Sequence, residues 1–69
     1  MGVVPVDSSA VAWVLYHRRR RDLDVGFRGG ATYCYHRVAP EEYDGLLAAD
    51  SIGAYVNRVI KRHRFTKLG

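Results

Sequence analysis

The stretch that decides the fold is Asp22-Leu23-Asp24-Val25-Gly26-Phe27-Arg28-Gly29-Gly30-Ala31-Thr32-Tyr33-Cys34-Tyr35, residues 22–35. In its first half, apolar residues alternate with polar or small ones, which predicts a strand with one buried face. The pair Gly29-Gly30 supplies two residues that can adopt positive φ, which favours a two-residue type I′ turn. Residues 31–38 should then return as an antiparallel strand, and the stretch is predicted to be a β-hairpin.

Tyr33 and Tyr35 lie two residues apart, so on a strand they point to the same face. If Gly29-Gly30 alone form the turn, the tyrosines lie on the face away from the apolar residues of the preceding strand. A three-residue turn, residues 28–30, would shift the pairing by one and place them in the core. We favour the two-residue turn, on which the pair is either a stacking surface or packs under Trp13 or a helix.

The chain before the hairpin predicts one more strand. Residues 10–16 are β-branched, aromatic and almost continuously apolar, which is typical of a strand. Residues 3–9 are predicted to be a short lead-in, since Pro5 limits strand pairing and the polar residues that follow favour a turn.

The chain after the hairpin predicts two helices. Pro40 suits the first helical position, acidic residues follow it, and the first helix should end near Ala49. Asp50 or Ser51 can cap a second helix, whose apolar stripe runs from residue 52 to residue 60. The predicted fold is therefore a small α+β domain, a three-stranded antiparallel meander followed by two helices (β-β-β-α-α).

A chain of 69 residues is expected to be one domain, 1–69, with its ordered part at about 7–65. A domain of this size buries only about 60% of its unfolded surface, so its core is thin. The single Cys34 cannot form an internal disulfide, which favours a cytoplasmic location. No basic leader and no apolar run of membrane-spanning length are present, so neither secretion nor membrane insertion is expected.

The charge is concentrated in two basic blocks. Eleven Lys and Arg stand against seven Asp and Glu, a formal net charge of +4 that suits a polyanionic partner. One block is a run of arginines in the loop between the first two strands, and the other is the C-terminal end: Arg18, Arg19, Arg20 and Arg21; Arg58, Lys61, Arg62, Arg64 and Lys67. Each block also has a bland explanation, a solvated loop for the first and helix-dipole stabilisation on a solvated face for the second.

Residues spread over nearly the whole chain follow a family pattern: Ser8-Ser9, Tyr16, Leu23, Val25, Phe27, Tyr33-x-Tyr35, Val38, Tyr43, Leu46, Ser51-x-Gly53-x-Tyr55-x-Asn57 and Ile60. This pattern resembles the KTSC domain, named for its occurrence at the C-terminus of some lysyl-tRNA synthetases. In that family Tyr-x-Tyr is the central motif, and the domain also occurs alone in bacterial and phage proteins. The resemblance implies a compact unit of this length with a suggested RNA-binding role.

The first functional hypothesis is binding of RNA or single-stranded nucleic acid. Bases stack on aromatic rings while a basic margin holds the phosphates. The candidate residues are Tyr33, Tyr35, Arg18, Arg19, Arg20, Arg21, Arg37, Arg58, Lys61 and Arg62. An anion or nucleotide could also bind at the start of the second helix, at Ser51, Gly53 and Asn57, although a helix cap with close packing at the glycine is the more economical explanation.

The second hypothesis is a protein-interaction or host-directed accessory domain, either with another protein or as a homodimer. Sequestration of a nucleotide signal is a third. No enzyme activity is expected, because the three histidines show no metal-ligand spacing and Cys34 faces no obvious base. On the favoured register Cys34 is a buried small hydrophobe. We therefore expect no catalytic residues, no cofactor and no metal.

Overall fold

The computed structural model describes residues 2–69. Five strands and two helices follow one another, with a single turn of 3₁₀ helix after the second helix. The elements are β1 (Val4–Pro5), β2 (Val11–His17), β3 (Asp22–Phe27), β4 (Thr32–Tyr35), α1 (Pro40–Ala48), α2 (Ile52–Arg58), the 3₁₀ helix Ile60–Arg62 and β5 (Phe65–Lys67). The α+β class, the antiparallel sheet and the two helices are as predicted, but the sheet has five strands rather than three.

All five strands form one antiparallel sheet in the order β1-β2-β3-β4-β5. The two strands that the sequence did not predict are its edges. Both are short and exposed, so their residues carry none of the alternation that identifies a half-buried strand. They exist because each pairs with a neighbour that is already ordered.

The pairing of β3 with β4 corrects the favoured register. Val25 lies opposite Tyr33 and Leu23 opposite Tyr35, so the turn has three residues and the tyrosines share a face with the apolar residues of β3. The two-residue turn was therefore the wrong choice. The three-residue turn is closed by a hydrogen bond from the Phe27 N–H to the Ala31 carbonyl at 2.8 Å, and Gly30 within it adopts a φ of +100°.

Contacts outside the hairpin explain this turn. The backbone N–H of Arg28 donates to the Ala10 carbonyl at 3.0 Å, and its guanidinium donates to the carbonyls of Ser8 and Val6. Arg28 is thereby tied to the segment that joins β1 to β2. The local turn preference of Gly29-Gly30 does not predict these long-range hydrogen bonds of Arg28.

A bulge in β2 puts both Val11 and Val14 into the core although they are three residues apart. The register shifts between Val11 and Trp13, and Trp13 therefore lies on the opposite face, across from Gly26. A Cβ at Gly26 would lie 2.1 Å from the indole, so only glycine fits under this ring.

The helices cover one face of the sheet, and the core lies between the sheet and the helices. It consists of buried side chains from β2, β3 and β4 packed against the helices and the 3₁₀ helix: Val11, Val14, Tyr16, Leu23, Val25, Tyr35, Val38, Tyr43, Leu46, Val56 and Ile60. Tyr16 stacks on Tyr43 with ring centroids 4.7 Å apart and donates its hydroxyl to the Val38 carbonyl. The other face of the sheet carries no helix, and we call it the helix-free face.

The start of each helix is as predicted. Pro40 is the first residue of α1, and the N–H of Ala39 donates to the Glu42 carboxylate at 2.9 Å. Ser51 caps α2 by accepting a hydrogen bond from the Ala54 N–H at 3.2 Å. α2 ends at Arg58, earlier than the apolar stripe indicated, and the chain tightens into the 3₁₀ helix. Over residues 2–69 no helix has the length and apolar character needed to cross a membrane.

Candidate functional site

The two tyrosines of the central motif have different surroundings. Tyr35 is 3% exposed and belongs to the core, where burial raises the pKa of its hydroxyl. A base therefore cannot stack on Tyr35, and the prediction that it forms part of a stacking surface is corrected. Tyr33 is only partly buried, and its ring lies next to Tyr35 with centroids 6.3 Å apart.

Tyr33 instead lines an aromatic groove at the open end of the helix layer. The groove has a volume of about 400 Å³ and is lined by Phe27, Ala31, Tyr33, Tyr35, Lys61 and Phe65. The Phe65 ring lies 5.3 Å from that of Tyr33, and Phe27 meets Tyr33 edge to face at 5.8 Å. Phe65 is 58% exposed, so an apolar ring on β5 stands open to solvent beside the motif tyrosine.

A basic depression is formed by residues from the same two segments of the chain. It is lined by His36, Arg37, Arg62, His63 and Arg64, with a volume of about 650 Å³. The two recesses adjoin along the C-terminal segment: Lys61 and Phe65 line the groove, whereas Arg62, His63 and Arg64 between them line the depression. An aromatic recess and a cationic one are thus built by adjacent residues.

The cationic side chains here are not neutralised by acids. Across residues 2–69, Arg37, Arg62 and Arg64 make no ion pair, and the Lys61 ammonium lies 5.6 Å from the centroid of the Phe27 ring. Sequence reasoning selected three of these four residues but not Arg64. It also missed Phe65 and Phe27 as site residues, because the tail was not predicted to form a strand beside β4.

The arginine run forms the β2–β3 turn, as expected. Its four residues are exposed, Arg21 has a positive φ of 58°, and the Val38 N–H donates to the Arg21 carbonyl at 2.7 Å. That bond places the turn beside the segment that contains Arg37, although residues 18–20 line a recess of their own with His17. Arg18 lies over the Tyr16 ring at 5.8 Å, and the Arg20 guanidinium lies 3.3 Å from the Asp22 carboxylate.

Arg58 is not brought to this surface. It lies at the end of α2 in a different depression, together with Tyr55 and Ser51. The candidate anion residues at the start of α2 have structural surroundings: the Ser51 oxygen is engaged in the cap, and a Cβ at Gly53 would lie 3.4 Å from the Ala10 methyl. The helix-cap explanation accounts for both, while Asn57 is simply exposed on α2.

The helix-free face carries a polar network of cross-strand pairs. His17 Nε2 lies 3.0 Å from the Asp24 carboxylate, and His36 Nδ1 lies 3.1 Å from the Asp22 carboxylate. Asp22 thus pairs with both Arg20 and His36, whereas Asp24 pairs with a histidine alone. The register explains both pairs, because all four side chains point to the face opposite the core.

Cys34 lies on this face among the acids, not with Leu23 and Val25 as the favoured register required. Its thiol is buried, and burial together with a hydrogen bond to the Asp24 carboxylate raises the pKa of Cys34 to about 12. As a free thiol it is therefore a poor nucleophile near neutral pH.

Known proteins show the same architecture. The crystal structure of a KTSC domain protein from Yersinia pestis superposes with a TM-score of 0.92 and is 31% identical, covering 99% of this chain and 97% of its own. A protein of Tsukamurella paurometabola is 47% identical over 57 residues, covering 83% of this chain and 85% of its own length. An uncharacterised protein of Stutzerimonas stutzeri is 37% identical over 62 residues, covering 90% of this chain and 87% of its own length.

The family model of the KTSC domain matches residues 7–65, which include β2 to β4, both helices and the first residue of β5. The match therefore spans the central tyrosine motif and most of the groove beside it. On this match and on the likeness to the Yersinia pestis structure, the chain belongs to the KTSC domain family.

Proposed function

We propose that this chain is a non-catalytic binding module for single-stranded nucleic acid, RNA in the first place. The observation that carries the proposal is that the aromatic groove and the basic depression adjoin: Lys61 and Phe65 line the groove, and residues 62–64 between them line the depression. Single-stranded nucleic acid likewise presents an apolar base next to an anionic phosphate. The family's occurrence in some lysyl-tRNA synthetases, which the resemblance implies, makes a tRNA-derived single strand a sensible first ligand.

The aromatic groove suits an unstacked base. Phe65 and Tyr33 offer ring faces at the groove, and stacking a base on an aromatic side chain is worth about 1 to 3 kcal/mol. Tyr35 takes the role of a support: it is buried behind the groove and packs against both rings. In this proposal the stacking surface consists of Tyr33 and Phe65, in place of Tyr33 and Tyr35.

The basic depression suits the backbone that runs beside that base. Arg37, Arg62 and Arg64 are exposed and unpaired within residues 2–69, so no ion pair has to be broken before phosphate binds. The arginine turn at residues 18–21 extends this surface, because it lies beside the segment that contains Arg37. Such contacts give affinity without sequence preference.

The test is fluorescence anisotropy with a labelled single-stranded RNA, measured as a function of salt. We expect log affinity to fall linearly with log salt, with a slope of about −0.7 for each phosphate neutralised. Replacing Arg62 and Arg64 together by Gln should reduce that slope, whereas Arg58→Gln, on a different surface, serves as the charge-matched control. Equal slopes for all variants, or no binding at low salt, would refute the proposal.

The contribution of stacking is tested with a second matched pair. Phe65→Ala should weaken RNA binding roughly 5- to 100-fold if stacking contributes about 1 to 3 kcal/mol. Leu47→Ala removes an apolar side chain of similar exposure, 44%, on α1 and should leave binding unchanged. Equal losses in the two variants would show that the aromatic groove has no special role.

One observation favours a protein partner as the second candidate. β5 is an edge strand whose three residues are all exposed, and an exposed edge can accept another strand. Binding of an extended peptide or of a second copy at this edge would be largely independent of salt. Sedimentation would show a dimer or a complex, and a monomer that binds RNA with a steep salt dependence would exclude this candidate as the main function.

A further inference from the structure

Three different ligand types meet on the helix-free face. Asp22 begins β3, Cys34 lies in β4 and His36 follows β4, and all three project to the side opposite the helices. The Asp22 Oδ1 and His36 Nδ1 atoms are 3.1 Å apart, and Cys34 Sγ lies 4.0 Å from the same nitrogen. One carboxylate oxygen, one sulfur and one imidazole nitrogen thus lie within 4.8 Å of one another.

We propose that Asp22, Cys34 and His36 form a binding site for a divalent metal ion of the zinc class. Sequence reasoning did not find this site, because Asp22 meets Cys34 and His36 only across two paired strands. The register that aligns Asp24 with Cys34 is what brings Asp22 and His36 to either side of the thiol. The shorter, two-residue turn would have separated them.

The distances suit a shared tetrahedral ion. Zinc binds sulfur at about 2.3 Å and imidazole nitrogen or carboxylate oxygen at about 2.0 to 2.2 Å, so its ligand atoms lie on the order of 3 to 4 Å from one another. The two separations from His36 Nδ1, 3.1 Å to Asp22 and 4.0 Å to Cys34, fall at the two ends of that range, and all three atoms lie within 4.8 Å of one another. Side-chain rotations of a few tenths of an ångström would therefore centre an ion among them.

Two of the three ligands are held by a second partner. His36 Nε2 lies 2.9 Å from the Thr66 hydroxyl on β5, which fixes the ring with Nδ1 turned toward Asp22. The second oxygen of Asp22, Oδ2, lies 3.3 Å from the Arg20 guanidinium. The outer atoms of both side chains are thus held by other groups, and a metal ion would replace the hydrogen bond between the inner atoms, Asp22 Oδ1 and His36 Nδ1.

The local charge selects the kind of ion. The carboxylates of Asp22 and Asp24 lie beside the sulfur and place negative charge where a dication would bind. A sulfur ligand discriminates against magnesium and calcium, which prefer oxygen. Three protein ligands leave a fourth position for water or an exogenous group, and His36 is partly exposed, so that position is accessible.

Cobalt(II) provides the test, because a cobalt–thiolate bond gives a charge-transfer absorption that other ligands do not. Untagged protein titrated with Co²⁺ should develop this band to a stoichiometry of one, and Zn²⁺ should abolish it by displacement. Cys34→Ser should eliminate the band, and His36→Gln should weaken Co²⁺ and Zn²⁺ affinity at least about tenfold. Circular dichroism of each variant establishes that it is folded.

His63→Gln is the matched control. It removes another histidine that contacts a carboxylate, Glu42 at 2.9 Å, but no thiol lies beside that pair. This variant should retain the band and the affinity. Absence of the band in the wild-type protein, or equal affinity in the His36→Gln and wild-type proteins, would overturn the proposal, and neither result bears on RNA binding at the groove.

Discussion

Tyr33 and Tyr35 show how much one register step decides at the level of single residues. They are two positions apart on β4 and point to the same face, yet Tyr35 is covered by the helix layer and Tyr33 extends beyond it. Tyr35 is therefore a core residue, and Tyr33 is a wall of the aromatic groove. The motif combines one structural and one accessible ring.

Alanine substitutions should separate these two roles. Tyr35→Ala removes a buried aromatic side chain and should lower the free energy of unfolding by about 3 to 5 kcal/mol. Tyr33→Ala should cost much less, because that ring is partly solvated already. Urea denaturation of the two variants measures the difference, and equal losses of stability would contradict the division of roles.

Among the elements, α1 and the 3₁₀ helix are joined by one carboxylate. Glu42 accepts the Ala39 N–H through one oxygen, and its other oxygen lies 2.9 Å from His63 Nε2. Burial opposes the charge on Glu42, but the bond from Ala39 and the neighbouring His63 outweigh it and lower its pKa. The same side chain thus caps one element and positions the segment that leads to β5.

Stability should consequently depend on pH through Glu42. Because its pKa is lowered in the folded state, its contribution is complete above the ordinary value of 4.5 and is lost as the pH falls through the folded value. Glu42→Gln should therefore be less stable than wild type at neutral pH, and the gap should close in acid. Thermal melts at a series of pH values measure this.

Glu41→Gln is the control for that experiment. Glu41 lies in the same first turn of α1 but is exposed and contacts neither Ala39 nor a histidine. A Glu42→Gln deficit that stayed constant down to acidic pH, or an equal deficit in Glu41→Gln, would show that the carboxylate charge is not responsible.

The elements also differ in how far sequence predicts them. β3 and the start of α1 were predictable because alternation, Pro40 and its acidic neighbours act locally. The turn was not, because Gly29-Gly30 accommodates two- and three-residue turns, and the choice depends on the distant bonds of Arg28. β1 and β5 are short and exposed, so they depend on pairing and leave no periodic signal.

The candidate site follows the same division. Tyr33, Arg37, Lys61 and Arg62 were identified from residue type and charge. Phe65 and Arg64 were missed because their role depends on β5 pairing with β4. The cluster around Cys34 was missed because it forms only in the observed register.

At the scale of the whole molecule, strands β1 to β4 follow one another directly along the chain and across the sheet, whereas both helices lie between β4 and β5 in the chain. β5 is an edge strand, its side chains are exposed, and it is joined to β4 by hydrogen bonds such as that from the His36 N–H to the Arg64 carbonyl at 2.8 Å. We expect β5 to be the least stable part of the sheet.

Native-state hydrogen exchange should show this. The Thr32 and His36 amides, which donate to the carbonyls of Gly69 and Arg64 on either side of β5, should exchange through a local opening with a lower free energy than the amides that join β2 to β3. Bound RNA should slow them, because Phe65 on β5 forms part of the groove. Uniform protection across the sheet would show that β5 opens only when the whole domain unfolds.

The pleat of β3 and β4 has an evolutionary consequence. Even-numbered positions along these strands carry the Asp, Cys and His groups of the helix-free face, whereas odd-numbered positions carry the core. Substitutions at the first set can change the chemistry of a surface while the second set preserves the scaffold. Relatives with the same backbone could therefore acquire different ligands on this face through substitutions at every second residue of a single hairpin.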